Sequence, residues 1–232
     1  MNNNLVRIKV QERLNKLASF DYDNIECWQI TEAFNKAQRE WFRRQVLGIN
    51  TRREGAEQST GLIDDLQVFI REEELKGTNK NRSFVTLPIP TNYSHFIRLS
   101  AYADSDKCKN RELTVYLAEE ANADILLADS LKNPSFEWSE TFATLKENKF
   151  SIYHDSKFAV QKAKLYYYRK PVDIGFDGCI NPSTGAASDN QECEFRDDVV
   201  EIIIDDAVAI LAGDINDFNQ YQRNSQNSQK NS

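Results

Sequence analysis

The stretch DDVVEIIIDDAVAILAGD, residues 197–214, decides how the rest of the chain is read. Val200, Ile203, Ala207 and Ile210 step by three and four, and Ile204, Val208 and Leu211 form a second stripe beside them. This spacing predicts a helix that is apolar over a wide face. Asp197 and Asp198 stand at its start, where carboxylates complement the positive end of the helix dipole. So much apolar surface cannot stand alone in water, and the helix needs partners to pack against.

Candidates lie at the other end of the sequence. Val6, Val10, Leu14 and Leu17 step by four, four and three, which predicts a first helix over 5–17. Asp23 followed by Glu26 resembles a capping box, and Ile30, Phe34, Ala37 and Trp41 mark a second helix ending near Gly48. Thr60 can cap a third, with Asp64 and Asp65 near the positive end of its dipole, Ile63, Leu66 and Ile70 facing inward and Gly77 closing it. The pattern then changes. Residues 84–87, 114–117 and 150–153 read as strands, as do the alternations of Ile97, Leu99 and Ala101 with Arg98 and Ser100, and of Ala163, Leu165 and Tyr167 with Lys162, Lys164 and Tyr166. A helix around 119–131 interrupts them.

The expected fold is therefore α+β. A helical bundle formed by the N-terminal helices and the C-terminal helix, residues 1–80 plus 195–218, carries an inserted small antiparallel β-rich layer with one helix, residues 81–175. Residues 176–194, rich in Pro, Ser and Asn, predict a linker. Residues 219–232, NQYQRNSQNSQKNS, have one aromatic and no aliphatic side chain, so burial cannot offset the entropy of ordering them, and a disordered polar tail is expected.

Composition narrows the function. Apolar residues make up 40% and aromatics 11%, as in a soluble globular protein. Twenty-nine Lys and Arg against 36 Asp and Glu give a net charge of -7, which argues against coating nucleic acid by neutralising phosphates but not against enclosing DNA. Cys27, Cys108, Cys179 and Cys193 lie far apart with no C-x-x-C pair, so neither a zinc ribbon nor a dense disulfide framework is expected, and reduced thiols are the simpler reading. The start MNNNLVRIKV lacks the features of a signal peptide, and no run approaches the roughly 18 apolar residues of a membrane span. Synthesis in a cytoplasm and no membrane partner are expected.

Catalytic inventory is thin. The histidines are His95 and His154, both in strand regions beside aromatics, where a structural role is the expectation. G-x-S-x-G, H-E-x-x-H, Walker and G-x-G-x-x-G patterns do not occur. Asp64 with Asp65, Asp197 with Asp198, and Asp205 with Asp206 are adjacent pairs that point apart on a helix. Asp104-Ser-Asp106 lacks the remaining ligands of a calcium loop. The expectation is a protein that is not an enzyme, with no catalytic, metal or cofactor-binding residues. A metal-dependent nuclease is the alternative and would need Asp64, Asp104 and Asp206 to converge; a module that binds a host protein is another. The basic cluster Arg39, Arg43, Arg44, Arg52 and Arg53 says more, because Arg39 and Arg43 share a helix face. The acidic run of residues 197–206 offers the opposite charge, within the chain or on a neighbouring copy. Interface candidates are Arg39, Arg43, Arg44, Asp205 and Asp206, with Tyr221 and Arg223 of the tail.

The order of these motifs resembles a known family. A short N-terminal helix, the helix AFNKAQREWFRRQ, a strand-rich insert entered through LPIPTNYSHFIRL, and the late helix DDVVEIIIDDAVAILAGD are similar to head-to-tail adaptor, or connector ring, proteins of short-tailed bacteriophages. The Asn- and Lys-rich style is closest to those of crAss-like phages of gut Bacteroidales. The resemblance implies a virion structural protein at the head-to-tail junction, made in the host bacterial cytoplasm and assembled as a ring, a dodecamer by that analogy. It implies as partners its own copies, the portal along which the C-terminal segment reaches, and other tail ring proteins. DNA would pass through without sequence-specific binding.

Overall fold

The computed structural model describes residues 1–15, 25–47, 64–77, 79–80, 83–106, 108–155, 157–182, 185–214, 222 and 225–226. In chain order its elements are α1 (Asn3–Asn15), α2 (Cys27–Leu47), β1 (Ile70–Lys76), β2 (Asn79–Lys80), β3 (Phe84–Pro88), β4 (Tyr93–Ser105), β5 (Arg111–Ala118), α3 (Ala123–Ala128), β6 (Glu140–Lys146), β7 (Lys149–Tyr153), β8 (Phe158–Arg169) and α4 (Asp197–Asp214). They divide into two compact units, a helical one of Met1–Val68 and Pro171–Ser232 and a sheet one of Phe69–Lys170 set between those two parts of the chain.

In the helical unit most of the described residues that the spacing places inward are buried, Ile210 being only partly covered. Val6, Val10 and Leu14 of α1, and Ile30, Phe34, Ala37 and Trp41 of α2, are almost wholly covered. Helix α4 packs against both α1 and α2, burying Val200, Ile203, Ile204, Ala207, Val208 and Leu211, which is why its apolar stripe is double. Trp41 meets Phe195 edge to face at 5.2 Å. Buried amides hold the segment that leads into the predicted linker, and Asn3 Nδ2 also donates to the Gln191 carbonyl within it at 3.0 Å. Asn35 donates from Nδ2 to the Ile174 carbonyl at 3.1 Å and accepts the Ile174 N–H at 2.8 Å. Asn3 Nδ2 donates to the Gly175 carbonyl at 2.9 Å, and Gln38 Nε2 to that of Val172 at 3.0 Å. Bridges at Gly175–Gln191 and Ile180–Ala187 fold the segment back on itself.

The sheet unit runs β1-β8-β4-β5-β6-β7-β3-β2. Most neighbours are antiparallel, but β5 and β6 are parallel, and the crossover between them carries α3. Alternation sorts the two faces. Leu99, Ala101 and Ala103 of β4, Leu113 and Val115 of β5, and Ala163, Leu165 and Tyr167 of β8 share one core with Val85, Leu87, Phe150 and Ile152. The sheet curls into a half-barrel around that core. Its far sides approach so closely that a Cβ on Gly77, just past β1, would lie 2.3 Å from Val85 Cγ1 of β3. On the outer side Phe142 and Tyr153 stack at 4.6 Å, with Ala123, Leu126 and Leu127 of the α3 region over them. The β6–β7 hairpin turns through Glu147 and Asn148, both at positive φ, as a two-residue turn that matches strand twist requires.

This corrects the expected fold class. The protein is not a helical bundle bearing a small antiparallel layer; it is a mixed α+β protein dominated by a curled sheet, with one parallel pair within it. Residues 70–76, expected as the end of a third helix, are strand β1, because Glu72 and Glu74 find Lys164 and Lys162 across the strand pair while Leu75 enters the core. The helix expected over 119–131 is a 3-10 turn at Glu120–Asn122 followed by the short α3. Ile97, expected inside, is exposed, because the β4–β8 register shifts between Phe96 and Arg98. The thiols differ too: Cys27 and Cys179 form a disulfide with Cα atoms 5.9 Å apart, leaving Cys108 exposed and Cys193 buried as free thiols. Leu17, Asp23, Gly48, Thr60 and Ile63, the expected helix ends, and most of the 219–232 tail lie outside the described residues.

Candidate functional site

Helix α4 turns most of its carboxylates toward α1 and α2. Arg13 Nη1 donates to Asp205 Oδ1 at 2.7 Å and to the Glu201 carbonyl at 3.0 Å, and Lys9 and Arg13 both pair with the Glu201 carboxylate. Arg44 pairs with Asp206, and the amino group of Met1 lies 2.6 Å from Asp197. The interface candidates Arg44, Asp205 and Asp206 are thus placed in pairs within the chain. Asp205 shows what such a pair is worth. Burial raises its pKa above the ordinary value and outweighs the opposing pull of Arg13, with Glu201 and Asp206 adding to the rise. The short contact does not mean net stabilisation, because desolvating the carboxylate exceeds the Coulomb gain.

Arg39 and Arg43 remain exposed along α2, with exposed Leu47 one turn further on. Arg39 Nε lies 3.4 Å from Asp173 and donates to the Asn35 carbonyl at 3.0 Å. Arg43 carries no ion pair among the described residues. Arg52, Arg53, Tyr221 and Arg223 lie outside them.

The catalytic candidates disperse. Asp65 faces Arg196 at 3.7 Å, and Asp104 Oδ1 accepts the Asn110 N–H at 2.7 Å, which closes the β4–β5 turn. His95 Nδ1 meets the Ser94 hydroxyl at 2.8 Å, while His154 lies edge-on to Phe158. Among the described residues no three His, Cys, Asp or Glu side chains gather where a metal could sit, and no helix is long and apolar enough to cross a membrane. Burial pushes the Cys193 thiol up to about 11, so it stays protonated and is a poor nucleophile at neutral pH.

On the outer face of β1, β8 and β4, Lys164 meets Glu72 at 2.5 Å, Lys162 meets Glu74 at 2.8 Å, and Arg98 lies over the Tyr166 ring at 3.9 Å. Hydrogen bonds from the lysines hold Glu72 and Glu74 below the usual carboxylate range, and Glu72 raises Lys164 in return. This ladder satisfies itself.

The surface that sequence reasoning missed lies around α3. Tyr116, Leu126, Leu131, Trp138 and Glu140 line an open cavity of about 570 Å³. Leu131 is 91% exposed and Trp138 81%. Large apolar side chains this exposed, gathered at one cavity, make it the candidate contact surface of the sheet unit. Along the sequence, residues 116 to 140 hold six acids and one base, Lys132, and of these Glu140 and Lys132 line the cavity. Tyr116 registers that field: partial burial raises its phenol pKa, and the Glu140 and Asp129 carboxylates raise it further. The available signal was the run NPSFEWSE, residues 133–140, whose aromatics fit neither helical nor strand periodicity.

No protein-family model matches the chain, and no curated protein matches it in sequence.

Proposed function

We propose that this chain is a virion structural protein, a ring-forming head-to-tail adaptor that joins the portal to the tail of a short-tailed phage and encloses the DNA channel. The observation that carries the reading is that a complete sheet unit, Phe69–Lys170, stands in the chain between the α1–α2 and α4 parts of one helical unit, the order of elements on which the resemblance rests. The acidic balance of -7 suits a wall that DNA passes without being gripped. Paired charges within the helical unit suit a rigid subunit, and an exposed aromatic cavity suits a protein that works through protein contacts.

Electron microscopy of the purified protein, alone and mixed with portal, tests the reading. Closed rings with a central channel, seated on portal particles, are expected. A monodisperse monomer with no affinity for portal would overturn it. So would metal-dependent turnover of nucleic acid that is lost on Asp64→Asn.

A further inference from the structure

The open cavity of the sheet unit carries both halves of a contact in one patch. Leu131 and Trp138 line it yet stand almost wholly in water, beside about 570 Å³ of open space that Tyr116 and Leu126 also line. Ile125, next to Leu126, is a third large apolar side chain left exposed. Their loop is set by its own hydrogen bonds. Asp129 Oδ1 accepts the Leu131 N–H at 2.9 Å, and the Asp129 carbonyl accepts that of Asn133 at 3.0 Å. Ser135 and Glu140 exchange both backbone bonds, at 2.9 and 3.1 Å, and the Tyr116 hydroxyl donates to the Lys132 carbonyl at 3.1 Å. With the backbone so fixed, Leu131 and Trp138 are held outward, and little ordering entropy remains to be lost on binding. The charges of the lining are one of each sign, Lys132 and Glu140, both exposed and neither in an ion pair among the described residues.

Exposed large side chains beside a hollow, and one acid beside one base, make a patch complementary to itself in both shape and charge. A two-fold contact uses such a patch, since the same residues serve on both sides. A basic partner would repel Lys132 and an acidic one Glu140, whereas a second copy turned through half a turn offers each of them its opposite. We infer that two copies of this chain pair through this cavity across a two-fold axis, Trp138 of each entering the cavity of the other. Lys132 of each copy then meets Glu140 of the partner subunit. Trp138 is the anchor that sets the lifetime of the contact, and the two ion pairs set its register. Neighbours in a ring built by rotation about one axis meet through two different patches, so this contact is separate from the ring contact of the proposed adaptor.

A charge-exchange experiment on the full chain, without portal, tests it. Sedimentation velocity over a concentration series would follow the parent, Trp138→Ala, Lys132→Glu, Glu140→Lys, an equimolar mixture of the two charge variants, and a chain carrying both charge changes. All three sites are exposed, so circular dichroism and melting should match the parent throughout. The parent should form a concentration-dependent dimer. Trp138→Ala should raise its dissociation constant about 30-fold or more, and each charge variant alone, which sets two like charges face to face, about tenfold. The two charge variants mixed should pair with each other, and the doubly changed chain with itself, because every acid again meets a base. A parent that stays monomeric up to about 0.1 mM would overturn the inference. So would an undiminished dimer from Trp138→Ala, or a mixture that pairs no better than its components. Free rings that Trp138→Ala abolishes would assign the patch to the ring contact instead and overturn the two-fold pairing. Rings on portal from a parent that is monomeric when free would overturn this contact and leave the adaptor reading standing. A dimer that forms no ring with portal would do the reverse.

Discussion

Reducing the Cys27–Cys179 bridge should destabilise the helical unit selectively. Both ends lie within it, Cys27 at the first residue of α2 and Cys179 buried in the segment that Asn3, Asn35 and Gln38 hold. The sequence separation is 152 residues, so the bridge encloses the whole sheet unit. Because the sheet unit stays folded inside the loop, only about 50 of the enclosed residues become flexible chain, for which the chain-entropy relation gives about 4 kcal/mol of stabilisation through the unfolded state. In a unit of this size each kcal/mol moves the melting temperature by about 3–4 °C, so reduction should lower that transition by roughly 15 °C. Calorimetry with and without a phosphine reductant reads the shift. The transition of the sheet unit, which contains neither cysteine, should hold its place. Thiol titration supplies the control: Cys108 should react in the native protein, Cys193 also after unfolding without reductant, and all four cysteines after reduction. Four reactive thiols in unfolded, unreduced protein, or a melt indifferent to reductant, would refute the argument.

Trp41→Ala should cost about 3–5 kcal/mol, whereas Trp41→Phe should cost much less, since it keeps ring contact with Phe195 and removes a buried Nε1–H that has no partner; urea titration compares them. Asp205 holds its proton more tightly folded than unfolded, so the stability it contributes is present below its ordinary value of 3.8 and is lost as pH rises through the raised folded value. Asp205→Asn should flatten stability across that window and melt no lower than the parent at pH 7. Gly77→Ala drives a methyl into Val85 and should cost about 1–3 kcal/mol, read as a lower urea midpoint of the sheet unit. Removing residues 219–232 should leave melting unchanged and weaken co-sedimentation with portal rings; unfolding on truncation, or undiminished binding, would contradict the role read from its polar composition.

Helices were legible in this sequence because each presents one continuous apolar stripe. Val6, Val10 and Leu14, or Ile30, Phe34, Ala37 and Trp41, repeat at the helical period and are buried together. Strands that face the core on one side only were legible for the matching reason, as with Ala163, Leu165 and Tyr167 in β8. Strand β6 was not, because Thr141, Phe142, Ala143 and Thr144 are all buried: β5 and β7 flank it and the α3 region covers its outer side, so no alternation survives. Strand β1 failed differently. Its run of Glu72, Glu73 and Glu74 has the composition of a solvated helix, and only the lysines of β8, nearly ninety residues away, make it a strand. Long-range pairing of this kind leaves no local period to read.

The charged residues show the same limit on the functional side. From sequence, an arginine on α2 and an aspartate on α4 are equally able to meet within one chain or between two. Which happens depends on helix phase: α4 packs along both α1 and α2, so the acids at the margins of its apolar stripe fall beside Arg13 and Arg44. Residues flanking a buried stripe are therefore matched internally first, whereas Arg43, exposed on α2, carries no ion pair among the described residues. Leu131 and Trp138 stand exposed beside a cavity whose lining carries one acid, Glu140, and one base, Lys132. Charge at the margin of a core is engaged within the chain, whereas large apolar side chains left exposed are open to a partner. By that criterion Arg43, Leu47, Leu131 and Trp138 outrank Arg44, Asp205 and Asp206 as places where this chain meets another.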